Sequence, residues 1–385
     1  MKPYDIHAEV NKIVTNVLGE NASLLSEDFS NIVDIGRDFQ NADKLDAFYT
    51  QLHDMIVRNI YVDRPYDASL PSVLYEEWEY ASMLGKVQAD LLQATTNEAW
   101  DLPNGSSIDP FVINKPSVSQ KFFNKAVSFE IDITKPEDQV KGAFQSRQDM
   151  ERFFAMIDTQ VRNSMNLRIE ALIFATIGNM IGVTYGSGTA SPRCVKLLSD
   201  YNTLAGTSLT ADKALINEGF LKYACNVIMK YPKKLSKFRT LYNEGGKARH
   251  TPSSDLHVIM QVDFATAVKT HLQSTTYHKD LVSLPRYEEV ACWQGANDTD
   301  SLASNMSLDA TIVKPDGNGD ETTASVSVGY IAGVMFDHNA LGVLKPERKV
   351  KSIYNPKGEY FNDFHKWTSR YFNDFDENFV LFLIA

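Results

Sequence analysis

The chain has 385 residues, 43% hydrophobic and 23% charged, values that exclude a disordered, collagen-like or coiled-coil protein. Lys plus Arg number 38 against 49 Asp plus Glu, and the resulting charge of −11 argues against gripping nucleic acid by phosphate neutralisation, though not against enclosing it. At roughly 150 residues per domain, the length predicts about two or three domains.

Residues 1–62 read as short helices, with Ile6, Val10, Ile13 and Val14 on one face and Ala47, Tyr49, Leu52, Met55, Ile56 and Ile60 on another. Pro65 and Pro71 break the chain. Residues 73–145 are long, extended and modestly apolar: a polar-aromatic stretch at 75–80, a turn-rich loop at 95–116, then Val127, Phe129, Ile131 and Ile133 alternating with polar residues as in a half-buried strand. This segment cannot build a core of its own, so it is expected to pack on something else.

Ser146 with Asp149 resembles a capping box. From there Met150, Phe154, Ile157, Val161, Met165, Ile169, Leu172, Thr176 and Met180 recur every three or four residues and predict a helix over 146–181, roughly 50 Å long. Its charges thin out after Ile169, so its C-terminal half should be the more buried. A strand is expected at 193–198. A helix capped by Thr210 and ended by Pro232 follows, then a third helix at 233–242. Strands are predicted at 256–260, 290–293, 310–313 and 329–336, with Asp263 capping a short helix over 264–272. The C-terminus reads as long strands at 349–354, 359–361, 367–372 and 379–384, with the turn Asn355-Pro356-Lys357-Gly358 between the first two. A terminus as apolar as Phe379-Val380-Leu381-Phe382-Leu383-Ile384 must be buried.

No catalytic, metal or cofactor constellation emerges. The cysteines Cys194, Cys225 and Cys292 are odd in number and form no C-x-x-C pair, which predicts free thiols in a reducing compartment. The start has no apolar signal segment and no run of about 18 apolar residues occurs, so a cytosolic site of synthesis and no membrane span are expected. The eight histidines contain no H-E-x-x-H or H-x-H pattern, and His271 and His278 read as solvated rather than as metal ligands. Gly186-Ser187-Gly188 is half of a dinucleotide fingerprint but follows a helix, so a flexible turn is the better reading. Asp316-x-Asn318-x-Asp320 opens like a calcium loop, yet Glu321 and Ser327 occupy the positions that should be Gly and Glu, which favours a solvated hairpin tip. Glu76, Glu77 and Glu79 sit in a polar stretch and read as solvated or ion-paired. The basic clusters at 230–234 and 345–351 read as solvated faces or partners for an acidic neighbour.

The order of parts resembles the major capsid protein of tailed bacteriophages, the Hong Kong 97-type fold. The most specific likeness lies at the end of the chain. Tyr330-Ile331-Ala332-Gly333-Val334-Met335-Phe336-Asp337, the strand 349–354, Asn355-Pro356-Lys357-Gly358-Glu359-Tyr360, Trp367 and Phe379-Val380-Leu381-Phe382 look like the close of capsid proteins from short-tailed phages of Gram-positive hosts. Arg249-His250-Thr251-Pro252 is similar to the entry of that family's axial domain. The resemblance implies an α+β, Hong Kong 97-like capsid fold. Its parts would be an N-terminal arm (1–72), an extended loop over an adjacent subunit (73–145), a peripheral domain (146–249) with spine helix 146–181, an axial domain (250–345), and C-terminal strands (346–385) returning to the peripheral domain.

The implied function is self-assembly, as pentamers and hexamers, into an icosahedral head shell enclosing double-stranded DNA. A portal protein and a scaffolding protein would be partners. No enzyme activity, cofactor, metal or membrane is expected, and the shell would assemble in the host cytoplasm. Subunit contacts are expected at Phe122, Phe123, Phe129, Glu76, Glu77, Asn355, Pro356, Lys357 and Gly358. Some relatives crosslink the extended loop; no crosslink through Lys121 or Lys125 is expected. An encapsulin-like nanocompartment shell and an enzyme with a non-local active site are the alternatives. The net negative charge suits a wall that must not hold packaged DNA tightly.

Overall fold

The computed structural model describes residues 11, 14–16, 19, 64–66, 70–75, 83–92, 94–136, 147–188, 191–273, 284–293, 306–315, 321–345 and 348–385. The chain divides into two units, Met1–Arg64 with Gln148–Met156, and Pro65–Arg147 with Ile157–Ala385. In the first, Val14 is buried and the Thr15 hydroxyl donates to the Asn11 carbonyl at 2.8 Å. The rest of the helical stripes expected before residue 62, the Ser146 cap and the tip 316–320 lie outside the described residues.

The elements from residue 74 onward are, in chain order, β1 (Leu74–Tyr75), β2 (Leu84–Ala89), β3 (Val118–Phe123) and β4 (Ala126–Pro136), then the long helix α1 (Arg147–Gly186) and β5 (Cys194–Lys196). Helices α2 (Leu197–Ala205), α3 (Ala211–Ala214) and α4 (Glu218–Leu235) precede β6 (Leu256–Gln261), α5 (Val262–Gln273) and β7 (Glu288–Val290). Strands β8 (Leu308–Pro315), β9 (Glu321–Val328), β10 (Ile331–Asp337), β11 (Leu341–Leu344), β12 (Arg348–Asn355), β13 (Tyr360–Asn373) and β14 (Phe379–Leu383) complete the chain.

One mixed sheet, ordered β5-β14-β10-β6-β7, carries the core. It is buried on both faces, which is why β10 and β14 read as unbroken apolar runs rather than alternating ones. Ala332, Met335, Val380 and Phe382 face the cluster built with Leu197, Leu198, Phe220, Leu221, Ile228 and Phe264 of α2, α4 and α5. Val334, Phe336, Phe379, Leu381 and Leu383 face the opposite cluster, with Ile169, Ile173, Ile177, Met180 and Ile181 of α1. The long helix expected over 146–181 is present as Arg147–Gly186, and its C-terminal half is the buried half. The stretch Ala155–Gly186 is long and apolar enough to cross a membrane, but 61% of its apolar window is buried within the fold, as a core helix requires.

Two glycines make close packing possible. A Cβ on Gly182 of α1 would collide with Ile312 of β8, so the β8–β9 ribbon can rest directly on the helix. Asn179, one residue from Gly178, pins it there: its Nδ2 donates to the Val313 carbonyl at 3.0 Å and its Oδ1 accepts from the Val313 amide at 2.7 Å. In the central sheet, a Cβ on Gly333 would collide with Met260 Sδ and stand 2.7 Å from the Ile259 carbonyl oxygen, which is backbone and cannot step aside. Gly333→Ala should therefore cost about 1–3 kcal/mol as overpacking, read as a lower denaturant midpoint at unchanged slope. An unchanged midpoint would show that the sheet can open there.

The second sheet runs β1-β11-β13-β12, with β4 also on β13. Residues 360–367 of β13 pair with β12 on one side and with β4 on the other. The segments expected as two strands at 359–361 and 367–372 are thus one 14-residue strand.

The local readings differ from the structure elsewhere too: the strand expected at 290–293 is Glu288–Val290 and stops before Ala291. The strand expected over 193–198 stops at Lys196, because Leu197 and Leu198 begin α2 and bury against α4. Thr210 heads only the short α3. The main helix starts at Asn217, whose side-chain oxygen accepts from the Phe220 amide at 2.8 Å. Pro232 does not end α4; it sits in the last turn, where the helix continues to Leu235, and no helix covers 233–242. The start of α5 is capped by Gln261 rather than Asp263: Gln261 Oε1 accepts from the Asp263 and Phe264 amides at 2.7 and 3.1 Å.

Candidate assembly interface

Strands β2 and β3 form a two-stranded ribbon in register Leu84↔Phe123 to Ala89↔Val118. Strand alternation gives it two faces. Lys86 and Gln88 of β2 and Ser119 and Lys121 of β3 point inward, half-buried, while Val87, Val118 and Phe122 point outward, 63%, 58% and 60% exposed. Leu84 and Phe123 join the inward face at one end, but along the rest of the ribbon the usual order is reversed: Lys86, Gln88, Ser119 and Lys121 lie on the chain's own body while Val87, Val118 and Phe122 meet solvent.

The inward face is anchored by charge. The segment Asp374-Phe375-Asp376-Glu377, between β13 and β14, carries three carboxylates that are all buried. Lys86 Nζ stands 2.6 Å from Asp374 and 2.8 Å from Glu377, and Lys121 Nζ 2.8 Å from Asp374 and 2.6 Å from Asp376. Gln88 bridges the same cluster, donating to Glu377 and accepting from Arg249 at 2.6 Å. Burial would raise the Asp374 carboxyl, but Lys86 and Lys121 hold it below its ordinary value. Burial pulls the Lys121 ammonium down, and its bonds to Asp374 and Asp376 more than reverse that, leaving it above the usual lysine value. At the far end of the ribbon Asp90 accepts from Ser117 at 2.8 Å and meets Lys247 at 3.4 Å.

Beyond Asp90 the loop leaves the body. Leu92, Phe111 and Ile113 are 71%, 85% and 81% exposed, with Leu91, Leu102, Ile108 and Val112 also open. So many large apolar side chains in one segment mark a surface made to be covered.

The expected contact residues fall in different settings. Phe122 is on the open face of the ribbon. Phe123 packs on Phe372 (5.5 Å between ring centres) and Phe129 on Trp367 (5.8 Å), both half-buried within this chain. Pro356, Lys357 and Gly358 form an exposed turn, held by Asn355 Oδ1 accepting from the Lys357 and Gly358 amides at 3.0 and 3.2 Å. Glu76 and Glu77 lie outside the described residues.

The other sequence features resolve structurally. Gly186-Ser187-Gly188 is the C-terminal end of α1, the carbonyl end, where a phosphate would be repelled. Ser187 instead donates to Glu244 at 2.6 Å, and Glu244 also receives Arg193. No disulfide joins the cysteines, and burial pushes the Cys225 thiol up to about 12. Among the described residues no cluster of His, Cys, Asp or Glu could hold a metal ion. A cavity of about 360 Å³ beside the ribbon root is lined by Lys121, Phe122, Lys125, Lys314, Tyr371 and Asp374 among others; its lysines are committed to ion pairs, Lys125 with Glu321 at 2.6 Å and Lys314 with Glu244 at 3.3 Å. Sequence reading missed the acidic segment 374–377 and the pair His257–His338, whose ring nitrogens approach to 3.1 Å. For the first a signal existed: three acids beside a fully apolar final strand require nearby cations.

The chain is similar to known phage proteins. A family model described as Phi29-like phage major capsid protein matches residues 10–383. Among solved structures the chain is similar to the capsid of Staphylococcus phage Andhra, at 10% identity and a TM-score of 0.56 over 85% of this chain and 87% of that one. It is similar to a chain from the structure of the head fiber and inner core protein gp22 of native bacteriophage P68, at 10% identity and 0.52 over 85% and 87%. The capsid of Cyanophage P-SCSP1u matches at 10% identity and 0.50 over 85% and 91%. At these identities the likeness concerns the fold. No curated protein matches the chain.

Proposed function

The chain belongs to the Phi29-like phage major capsid protein family, and on that premise we propose that its residues 73–145 act as an extended loop that covers an adjacent subunit of the head shell. Forming the shell of a tailed-phage head is the work of this family; how this chain does so is the proposal. The observation that carries it is the reversed ribbon, whose open apolar face continues into the open apolar loop. Burying such a face on a neighbour gains about 25 cal/mol per Å² of apolar surface, without any cost in opening the chain's own core.

The layout that fits is the Hong Kong 97-type one, with arm 1–72, loop 73–145, peripheral domain 146–249, axial domain 250–345 and closing strands 346–385. Phe122 and the turn Asn355-Pro356-Lys357-Gly358 are its exposed contact candidates, and Glu76 and Glu77 belong to the same loop. Pentamers and hexamers, a portal ring, a scaffolding protein and enclosed duplex DNA complete the reading, with assembly in the host cytoplasm and no catalytic role.

Expression of the full chain, followed by negative-stain electron microscopy, tests it. Closed shells, tubes or five- and six-membered rings are expected. Monodisperse monomers under all conditions, together with turnover of some substrate, would overturn it.

A further inference from the structure

Between Gly219 and Asn243 the chain carries no Asp or Glu but six cations: Lys222, Lys230, Lys233, Lys234, Lys237 and Arg239. That is an unusual local excess in a chain of net charge −11. Lys222 is taken up by Glu218 one turn earlier. The other five are exposed at the end of α4 and the turn after it. None of the five has a carboxylate partner among the described residues; Lys234 lies over the Tyr231 ring at 4.4 Å. Other described lysines are committed to carboxylates, as at Lys86, Lys121, Lys125, Lys135 and Lys366, while Lys345, Lys349 and Lys351 form a second exposed group.

Cations favour a helix C-terminus, and this accounts for Lys233 and Lys234 in the last turn of α4. It does not account for Lys230 before that turn or for Lys237 and Arg239 beyond the helix. Lys230, Lys233 and Lys234 share one face at spacings of three and four, and Lys237 extends the row.

We infer that this patch is where the chain touches the phosphate backbone of duplex DNA. The inference rests on reading the chain as the wall of a DNA-filled head. Two features favour DNA over an acidic protein. None of the five best-formed cavities is lined by any of the five cations, so none of them seats a partner's side chain at the patch. A polyanion with charges every 1.7 Å of axis needs no cavity, only long cationic side chains on an open surface. Phe238, 53% exposed beside the patch, tilts against His250 at 4.2 Å. The patch thus offers DNA a local hold on a chain whose net charge of −11 otherwise repels it.

The test uses the purified full chain and a fluorescent duplex of about 30 base pairs, titrated at 50 to 200 mM salt, with shells imaged in parallel. The variant replaces Lys230, Lys233, Lys234, Lys237 and Arg239 by Gln, which keeps helix propensity. For about four neutralised phosphates the native chain should show a log–log salt slope near −3.6, about a 100-fold loss of affinity across that range. The variant should lose most of that slope and still form shells. An unchanged slope in the variant overturns the inference. So does tighter binding of polyglutamate than of DNA at equal ionic strength, which would assign the patch to an acidic protein. Absence of shells from the native chain would instead overturn the reading on which the inference rests.

Discussion

Asp374→Asn is expected to destabilise the fold by about 3–5 kcal/mol, the range for breaking a buried ion pair by removing one partner. The side chain is fully covered and is the shared acceptor for Lys86 and Lys121. It also accepts from the Asp376 amide at 3.1 Å. Asparagine keeps the shape but presents an NH₂ to one of two ammonium groups. A double-mutant cycle with Lys86→Met should show coupling, each change costing less in the background of the other. Chemical denaturation measures both, and a midpoint shift worth under about 0.5 kcal/mol would mean the cluster is relaxed by water.

The same group sets an acid limit. Asp374 titrates below its ordinary value, so its contribution is present above the unfolded carboxylate value of about 3.9 and is lost as pH falls through the folded one. Native protein should therefore lose stability steeply below about pH 4, and the Asn variant less steeply. Lys121, shifted up, works at the other end: its contribution is present below the ordinary lysine value and fades as pH rises past the folded one. Since Lys86 and Lys121 belong to the loop ribbon, either limit loosens the loop root before the sheet core.

What could be read from the sequence, and what could not, follows from where the information lies. The long helix was legible because Met165, Ile169, Leu172, Thr176 and Met180 continue a stripe that repeats every three or four residues from Met150. Strands β10 and β14 were legible because a run buried on both sides has no polar interruptions. Helix α2 was not: Leu197-Leu198 after Cys194-Val195 is an apolar run of either type, and only packing against α4 decides it. Pro232 misled because the bond it denies the Ile228 carbonyl is offset by packing: Tyr231 and Leu235 are buried and hold the last turn helical. The ion cluster was invisible for a different reason. Lys86, Lys121 and Asp374 are separated by 253 positions or more, counted from Asp374, and only the ribbon's docking brings them together.

Excising residues 91–116 should abolish shells while leaving the chain as stable as before or more so. Strands β2 and β3 already pair to their ends at Ala89↔Val118, and the Asp90 amide donates to the Ser117 carbonyl at 3.0 Å. An Asn-Gly pair can close that hairpin as a two-residue turn. Shortening the loop from 26 residues to two lowers its closure entropy by about 2 kcal/mol, a gain for the isolated chain. The excised side chains, Leu91, Leu92, Leu102, Ile108, Phe111, Val112 and Ile113, are exposed, so no core contact is lost with them. Stability and assembly should thus move in opposite directions, which a general folding defect cannot produce. Phe111→Asp with Ile113→Asp should weaken assembly in the same direction without shortening the chain, by making the covered face cost desolvation of two charges. Circular dichroism and thermal melts read the fold, and electron microscopy reads the shells. An unfolded deletion variant would place the loop in this chain's own core, and intact shells would move the main interface elsewhere, onto the β12–β13 turn or the arm.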